Sequence, residues 1–170
     1  MKLPFSKIRL AGTTLIETVV AAALIAGFFG TIFEVNAVCF RYIDASKESV
    51  AALQGVQDRI EGLRGLSFTN VTSDSNLKTL LTTPSNTSDF VKKAQEVITI
   101  SGYPSGSPSA TYTRPAGATS TVTSSPGGGA DFSSTTLIKV NVTYTWTMTL
   151  GGRSMTEQTE TIIAAGNKKA

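Results

Sequence analysis

The chain has no histidine, one cysteine and few charged residues, which make up 16% of its 170 positions. Without histidine it lacks the commonest general base of enzymes and the commonest transition-metal ligand. Its one cysteine, Cys39, cannot form an intrachain disulfide or a cysteine-rich zinc site. Because Cys39 lies in an apolar helical segment, we expect a small, buried side chain there. These absences argue against metals and other cofactors.

The composition also argues against nucleic acid as a partner. The formal net charge is only +3, and the chain has no arginine-rich run and no interleaving of basic and aromatic residues. No catalytic triad or pair of catalytic carboxylates is visible. The glycine-rich sequence "PGGGAD" lacks the Lys-Ser/Thr of a phosphate-binding loop. Abundant Gly, Ser and Thr with little charge suit an extracytoplasmic or polymeric protein.

A basic N-terminal segment precedes a long apolar run. Residues 1–12, "MKLPFSKIRLAG", contain three basic residues and no acidic one, which keeps the N-terminus of a membrane protein in the cytoplasm. The uncharged run at 18–33 would form a helix of about 24 Å, shorter than the roughly 30 Å core of a bilayer. A spanning helix must therefore also include residues 13–17, and it carries Glu17 near one membrane face.

Three interpretations fit this acidic residue. A secretory signal peptide needs an uninterrupted apolar region and a small-residue cleavage site, and the nearest such site, at 35–37, matches poorly. A plain single-pass anchor leaves the charge of Glu17 unexplained, although holding that charge in mid-bilayer costs about 2–3 kcal/mol. In the third interpretation the carboxylate has a partner inside the membrane, which is the default for an intramembrane ionisable group.

The sequence "AGTTLIE" at residues 11–17, between the basic leader and the apolar helix, resembles the N-terminus of type IV pilins and of type II secretion pseudopilins. In that family a membrane-embedded aspartyl peptidase, the prepilin peptidase, cuts after the glycine and usually methylates the new N-terminus. The resemblance implies cleavage between Gly12 and Thr13 and N-methylation of Thr13. Glu17 then takes the place of the family's fifth-position glutamate. Thr13 departs from the usual Phe or Met.

The resemblance also implies a partner for Glu17. Pilin subunits pack their N-terminal helices into a bundle, in which Glu17 of one subunit would pair with the N-terminal amine of a neighbour. Pairing removes much of the cost of isolated charges in hydrocarbon; a carboxylate snorkelling to the interface is the alternative. Two rows of small residues at four-residue spacing support helix packing. They are Ala22, Ala26 and Gly30, and Ala23 and Gly27.

In many pilins a stretch of this helix melts on assembly, and that stretch ends at a proline. Here Glu34 occupies the position of that proline. We interpret Glu34 as a second packing or interface charge, because it ends the row through Gly30; a cation ligand and a partner of Arg41 are the alternatives. Gly27 and Gly30 weaken the helix locally, but without that proline the resemblance does not decide whether the helix melts near Gly27 and Gly30 on assembly.

The helix is predicted to continue to Leu66, with an apolar stripe that lies against a sheet. The stripe consists of Leu53, Val56, Ile60 and Leu63. The sequence "VQDRIEGLRGLSF" resembles minor pilins whose helix ends in an "RIE-LR" segment. Its charged residues also fit a half-exposed helix surface; they are Asp58, Arg59, Glu61 and Arg64.

The sequence after Leu66 predicts a small α+β head. Residues 69–76 are predicted to be a loop, followed by short helices near 76–81 and 89–95, the latter capped by Ser88. Residues 96–101 predict a strand. The segment 102–136, rich in Gly, Ser, Thr and Pro, predicts a long flexible loop with one strand at "ATYTR".

The clearest strand is "TLIKVNVTYTWTM", in which apolar and polar residues alternate. This period predicts a half-buried antiparallel strand that covers the helix stripe. Gly151 and Gly152 predict a two-residue hairpin loop, which would pair Met148 with Met155 and likewise Val140 with Ile163.

We therefore expect an α+β, pilin-like fold with a long N-terminal helix on a small antiparallel sheet. The expected segments are a cleaved leader at 1–12, a transmembrane and assembly half-helix at 13–40, an amphipathic half-helix at 41–66 and an extracytoplasmic head at 67–170.

The resemblance implies a structural subunit, a minor pilin or pseudopilin of a type IV pilus or type II secretion pseudopilus, rather than an enzyme. Its expected partners are the bacterial inner membrane, the prepilin peptidase, other pilins or pseudopilins and the assembly platform. The N-terminus would be cytoplasmic and the head extracytoplasmic, before incorporation into the fibre. The alternative is a membrane-anchored binding module that uses the 102–136 loop. An enzyme on a membrane stalk would need a polar cluster that the sequence does not show.

Overall fold

The structure is a computed structural model that describes residues 14–86, 88–117, 121–148 and 151–166. The chain forms two compact units, which divide between Tyr42 and Ile43. The described elements, in chain order, are α1 (Leu15–Gly65), α2 (Phe68–Thr72), α3 (Asp74–Thr82), α4 (Asp89–Lys93), β1 (Gln95–Gly102), β2 (Ser109–Arg114), β3 (Thr123–Ser125), β4 (Leu137–Thr147) and β5 (Ser154–Ala164). The head, residues 43–166 of the described chain, includes the second part of α1.

Helix α1 runs for 51 residues without a break. No proline occurs between Pro4 and Pro84, so no residue inside this helix lacks a backbone N–H donor. The helix ends one residue before the predicted Leu66, and its predicted start at Thr13 lies outside the described residues. In the head, α1 buries residues at three- and four-residue spacing. These are Ala52, Gly55, Val56, Arg59, Ile60 and Leu63.

One member of the predicted stripe does not belong to the buried face of α1. Leu53 is 40% exposed, whereas Ala52 is fully buried. The buried face runs from Ala52 through Val56, so the adjacent Leu53 is rotated by about 100° out of the core. The small Ala52 was passed over because the prediction weighted large apolar residues.

A five-stranded antiparallel sheet in the order β3-β2-β1-β4-β5 packs against the head part of α1. Strand β4 alternates buried and half-buried residues, as its sequence predicted. Its buried residues are Ile138, Val140, Val142, Tyr144 and Trp146. Together with Val56, Ile60 and Leu63 of α1, most of them form one core, which confirms the expected layout of a long helix on a small antiparallel sheet.

The β4–β5 hairpin does not have the predicted register. Met155 lies opposite Trp146, not opposite Met148. The prediction is wrong by two residues, and such a shift leaves the same side chains on the buried face. The alternation of apolar residues therefore could not detect the error.

The connection between these strands is longer than the predicted two-residue loop. The last paired residues are Thr147 and Ser154, so residues 148–153 separate the two strands. The same shift places Ile163 opposite Ile138 instead of Val140. Gly151 and Gly152 do adopt the positive φ values, 99° and 63°, for which glycine is suited.

The segment 102–136 is not one long loop. It contains β2, which confirms the strand predicted at "ATYTR", and β3, which was not predicted. Tyr112 of β2 and Phe132 beyond β3 lie in the buried core. The composition was misleading because Thr is favoured in strands, and a strand also accommodates Ser once neighbouring strands supply its hydrogen bonds.

Two of the three short helices lie where the sequence predicted them. In α4, the Ser88 hydroxyl accepts a hydrogen bond from the Val91 N–H at 3.2 Å, as expected for its N-cap. Helix α2 lies in a predicted loop, where the Ser67 hydroxyl accepts from the Asn70 N–H at 3.3 Å. Five residues are too few for a helical period to show in the sequence.

Candidate functional site

The first unit presents an apolar surface on all sides of the helix. Every described residue from Thr14 to Tyr42 is exposed. The large apolar side chains among them include Leu15, Ile16, Val19, Val20, Leu24, Ile25, Phe28, Phe29, Ile32 and Phe33. By length and composition, α1 is apolar enough to cross a membrane. An exposed helix that is apolar all round is stable when lipid or other helices surround it.

Glu17 and Thr14 cap the start of this helix reciprocally. The Thr14 backbone N–H donates to Glu17 Oε2 at 2.8 Å, and the Glu17 N–H donates to Thr14 Oγ1 at 3.4 Å. This is the geometry of a capping box, in which two of the otherwise unpaired N–H groups of the first turn gain acceptors. The negative carboxylate also lies at the positive end of the helix dipole.

The capping box gives Glu17 a partner within its own chain. It was missed in the sequence, although "TLIE" has the spacing of a threonine followed three residues later by glutamate. Glu17 Oε1 has no hydrogen-bond partner among the described residues and can accept a further donor. The pairing with a neighbour's amine therefore remains a prediction that is compatible with the cap.

The small-residue rows lie on the exposed helix. Ala22, Ala26 and Gly30, and Ala23 and Gly27, all face solvent. A Cβ atom built on Gly27 or Gly30 meets nothing within 4 Å. These two glycines thus serve no packing within the described chain. Gly12 and Thr13, the predicted cleavage and methylation sites, lie outside the described residues.

Cys39 is exposed, so the prediction of a buried side chain is wrong. The prediction rested on its apolar neighbours in sequence, such as Val38 and Phe40. Those neighbours are themselves 40% and 67% exposed, because the described residues of the first unit bury none of this helix.

A buried ion network that the sequence analysis missed joins three elements of the head. Glu96 of β1 accepts hydrogen bonds from Arg59 of α1 and from Arg114 of β2. All three side chains are at least 95% buried. Arg59 had been interpreted as part of a half-exposed charged surface.

The two arginines also bind the ends of short helices. Arg59 donates to the carbonyl oxygens of Leu80 at 3.2 Å and Thr83 at 2.6 Å, at the end of α3. Arg114 donates to the Val91 carbonyl at 2.9 Å in α4. Because carbonyls at helix C-termini carry partial negative charge, they offset the second guanidinium that one carboxylate cannot neutralise. The network therefore has a structural role and no reactive group exposed to a substrate.

A pocket in the head has a volume of about 460 Å³. Its lining includes Glu48, Phe90, Lys93, Gln95 and Trp146. The indole N–H of Trp146 is buried and has no hydrogen-bond acceptor within the described chain. The described residues contain no group of three or more His, Cys, Asp or Glu side chains that could hold a metal ion.

Comparison with known proteins gives no relative: no family model, curated protein or solved structure matches the chain. Its function must therefore be inferred from its own residues, chiefly the exposed apolar helix and the acidic residue that begins it.

Proposed function

We propose that this protein is a structural subunit, a minor pilin or pseudopilin, of a type IV pilus or a type II secretion pseudopilus. The prepilin peptidase cuts between Gly12 and Thr13 and methylates Thr13. The N-terminal helix then spans the bacterial inner membrane, with the head outside, until the assembly platform moves it into a fibre with other pilins or pseudopilins. The observation that carries this proposal is the exposed apolar first part of α1, which has Glu17 in its first turn.

The length of α1 favours assembly over simple anchoring. Its 51 residues extend about 76 Å, more than twice the thickness of a bilayer core. Exposed apolar residues continue past the run at 18–33, at Val35, Val38, Phe40 and Ile43. An anchor alone has no use for this further apolar surface, whereas a bundle of helices in a fibre covers it.

Glu17 has two tasks in this proposal. Its Oε2 holds the first turn together through Thr14, and its charge attracts the methylated amine of a neighbouring subunit. In a low-dielectric bundle an isolated carboxylate or amine is costly, so the pair forms only when subunits are in the correct register. The carboxylate thus favours one arrangement of subunits over others.

Glutamine at position 17 separates the two tasks. A capping box accepts Gln in place of Glu, so Glu17→Gln keeps the local hydrogen bond and removes the charge. Membrane insertion should be unharmed, since a buried charge is lost, and cleavage after Gly12 should continue. Incorporation into sheared fibres should fall at least about tenfold, because a neighbour's amine loses its partner.

The comparison is made at equal amounts of mature protein in the membrane. Glu17→Asp is the matched control: it keeps the charge on a shorter side chain and should retain more incorporation than Glu17→Gln. If Glu17→Gln enters fibres as well as the wild type, the charge has no pairing role and snorkelling explains it. If the wild type itself is absent from every fibre of its host, the proposed function is wrong.

The alternative function, an anchored binding module, needs a narrower test than deletion of residues 102–136. That deletion would remove β2 and the buried Arg114, and the head would unfold for reasons unrelated to binding. Replacing the exposed residues Ser105 and Gly127 with charged residues leaves the strands intact. A binding module would then lose its ligand, whereas a fibre subunit would assemble normally.

A further inference from the structure

Two opposite charges on the exposed part of α1 have no partner in the described chain. Glu34 and Arg41 are exposed, and neither forms an ion pair or a side-chain hydrogen bond. The nearest acidic residue after Arg41, Asp44, instead pairs with Lys47 at 3.7 Å. Between Thr18 and Arg41, Glu34 and Arg41 are the only charged residues of this apolar helix.

The spacing of the two charges places them on one face of the helix, almost two turns apart. Seven residues are almost two helical turns, so Arg41 lies about 10.5 Å along the axis from Glu34 and within about 20° around it. Ion pairs within one helix form at three- or four-residue spacing. In this conformation the Glu34 and Arg41 side chains do not meet, and both are exposed to a second helix.

We propose that Glu34 of one copy pairs with Arg41 of a parallel neighbouring copy that is displaced by about 10.5 Å along the helix axis. This inference rests on the proposed function and adds to it one specific contact between subunits. The contact is heterologous, because each copy uses Glu34 toward one neighbour and Arg41 toward another. It therefore propagates along a fibre instead of closing into a dimer.

The same displacement brings small residues together. Gly30 and Ala37 lie on the face of Glu34 and Arg41 and are also seven residues apart. A neighbour displaced by seven residues places its Gly30 level with Ala37. A Cβ atom on Gly30 meets nothing within 4 Å, so this turn has room for a closely packed helix.

A second copy fits these charges better than other occupants do. A phosphate group of lipid would bind Arg41 and leave Glu34 unpaired, and a metal cation would do the reverse. A copy of this helix carries both complementary charges at the required separation, and copies that cross the membrane in the same orientation are parallel. Glu17 lies about 100° around the helix from Glu34, so its pairing with an amine belongs to a different neighbour.

Cysteine cross-linking in the full-length chain in its native host tests this contact without altering the charges. The reporter combines Gly30→Cys and Ala37→Cys in a Cys39→Ser background. Within one helix these positions are about 10.5 Å apart, beyond the roughly 7 Å limit for a disulfide. Any bond therefore joins two copies, and repeated bonds produce a ladder of oligomers on a non-reducing gel of sheared fibres.

We expect this ladder after mild oxidation. Each single cysteine, and the control pair Ala23→Cys with Ala37→Cys at twice the spacing, should give at least about fivefold less oligomer. Adding Glu34→Arg or Arg41→Glu to the reporter should reduce the ladder about tenfold, because like charges meet. Adding both reversals should restore the ladder to within about twofold of its intensity in the original reporter. Equal protease access to the head confirms that each variant keeps its topology.

Other results identify which claim fails. If the protein enters fibres but this reporter gives no ladder, the displacement is wrong and the proposed function stands. A ladder that is indifferent to both charge reversals, or reversals that fail to compensate each other, rejects the Glu34–Arg41 pair. If wild-type protein is missing from all fibres, the proposed function itself fails, and the contact fails with it.

Discussion

Arg59 and Glu96 form a two-point ion pair between the helix and the sheet: Nε donates to Oε1 at 2.5 Å and Nη2 donates to Oε2 at 3.1 Å. The residues are 37 positions apart in sequence, and the Glu96 side chain is fully buried. Arg114 donates to the same Oε2 from the neighbouring strand at 3.2 Å. One carboxylate thus fixes the position of α1 against β1 and β2.

Removing that charge should destabilise the head strongly. In the head fragment 43–170, Glu96→Gln leaves two buried guanidinium groups without an anion, and breaking a buried ion pair typically costs about 3–5 kcal/mol. Urea unfolding measures the free energy of unfolding. Glu61→Gln, on the exposed side of the same helix, is the control and should change this free energy by less than about 0.5 kcal/mol. Similar effects for the two variants would contradict the role of the network.

Two glycines in α1 should respond oppositely to alanine. A Cβ atom on Gly55 would lie 2.5 Å from Tyr144 Cε2 and 2.9 Å from Val91 Cγ2, so Gly55→Ala forces the core apart. We expect a loss of about 1–3 kcal/mol. Gly62 has nothing within 4 Å, and Gly62→Ala should gain up to about 1 kcal/mol from helix propensity. Thermal unfolding of the two variants measures the sign of each change in stability. A stabilised Gly55→Ala would contradict the packing described.

Tyr144 should make the head less stable in alkali. Burial, and then the negative charge of Glu96, raise the pKa of Tyr144 to about 12, although the Ser85 hydroxyl, 2.8 Å away, can donate to the phenolate and so lowers the pKa. In the unfolded chain the pKa is near 10, so the unfolded state releases this proton first as pH rises. The stabilisation is complete below pH 10 and is lost as pH rises through 12, up to about 2–3 kcal/mol.

The tyrosine contribution is isolated by comparing the wild-type fragment with Tyr144→Phe. Between pH 10 and 12, the wild type should lose stability more steeply than Tyr144→Phe, because other alkaline titrations are common to both. Urea midpoints at intervals of half a pH unit provide the two slopes. Parallel slopes would show that Tyr144 ionises alike in the folded and unfolded states.

Periodicity predicted the elements whose burial follows one simple rule. Helix α1 and strand β4 are long, and each keeps its period over many residues, so the prediction was close to the observed bounds. The hairpin register was missed because a shift of two residues preserves alternation. Helix α2 was missed because its stability comes from the Ser67 cap and the head, not from a pattern of its own.

The ion network left a signal in the sequence that was not used. Glu96 alternates with Ile98 and Ile100 on the buried face of β1, and Arg114 follows Ala110 and Tyr112 in the same way on β2. In the sheet, Glu96 lies directly opposite Arg114. Opposite charges at inward positions of two adjacent strands predict a buried pair. The partner on α1 needed the packing of the helix, which the sequence does not contain.

Cleavage of the leader should depend on the small residue at position 12. Gly12→Phe should leave uncut precursor in the membrane, because the peptidase that the resemblance implies must accommodate the residue before the cut. Gly30→Ala is the matched control, since it changes another glycine of the N-terminal region, one that touches nothing in the described chain. Immunoblots of membranes should show precursor for Gly12→Phe and mature protein for Gly30→Ala. Normal processing of Gly12→Phe would place the cut elsewhere.

The intact mass of the mature protein, purified from membranes of its native host, tests the central claim most directly. We expect a chain that begins at Thr13, with the mass of one added methyl group on its N-terminus. That result would establish prepilin-type processing and leave the whole apolar helix in the mature protein, as assembly requires. A mature chain that begins at Val38 would make the apolar run an ordinary signal peptide, and it would contradict both the membrane helix and the fibre.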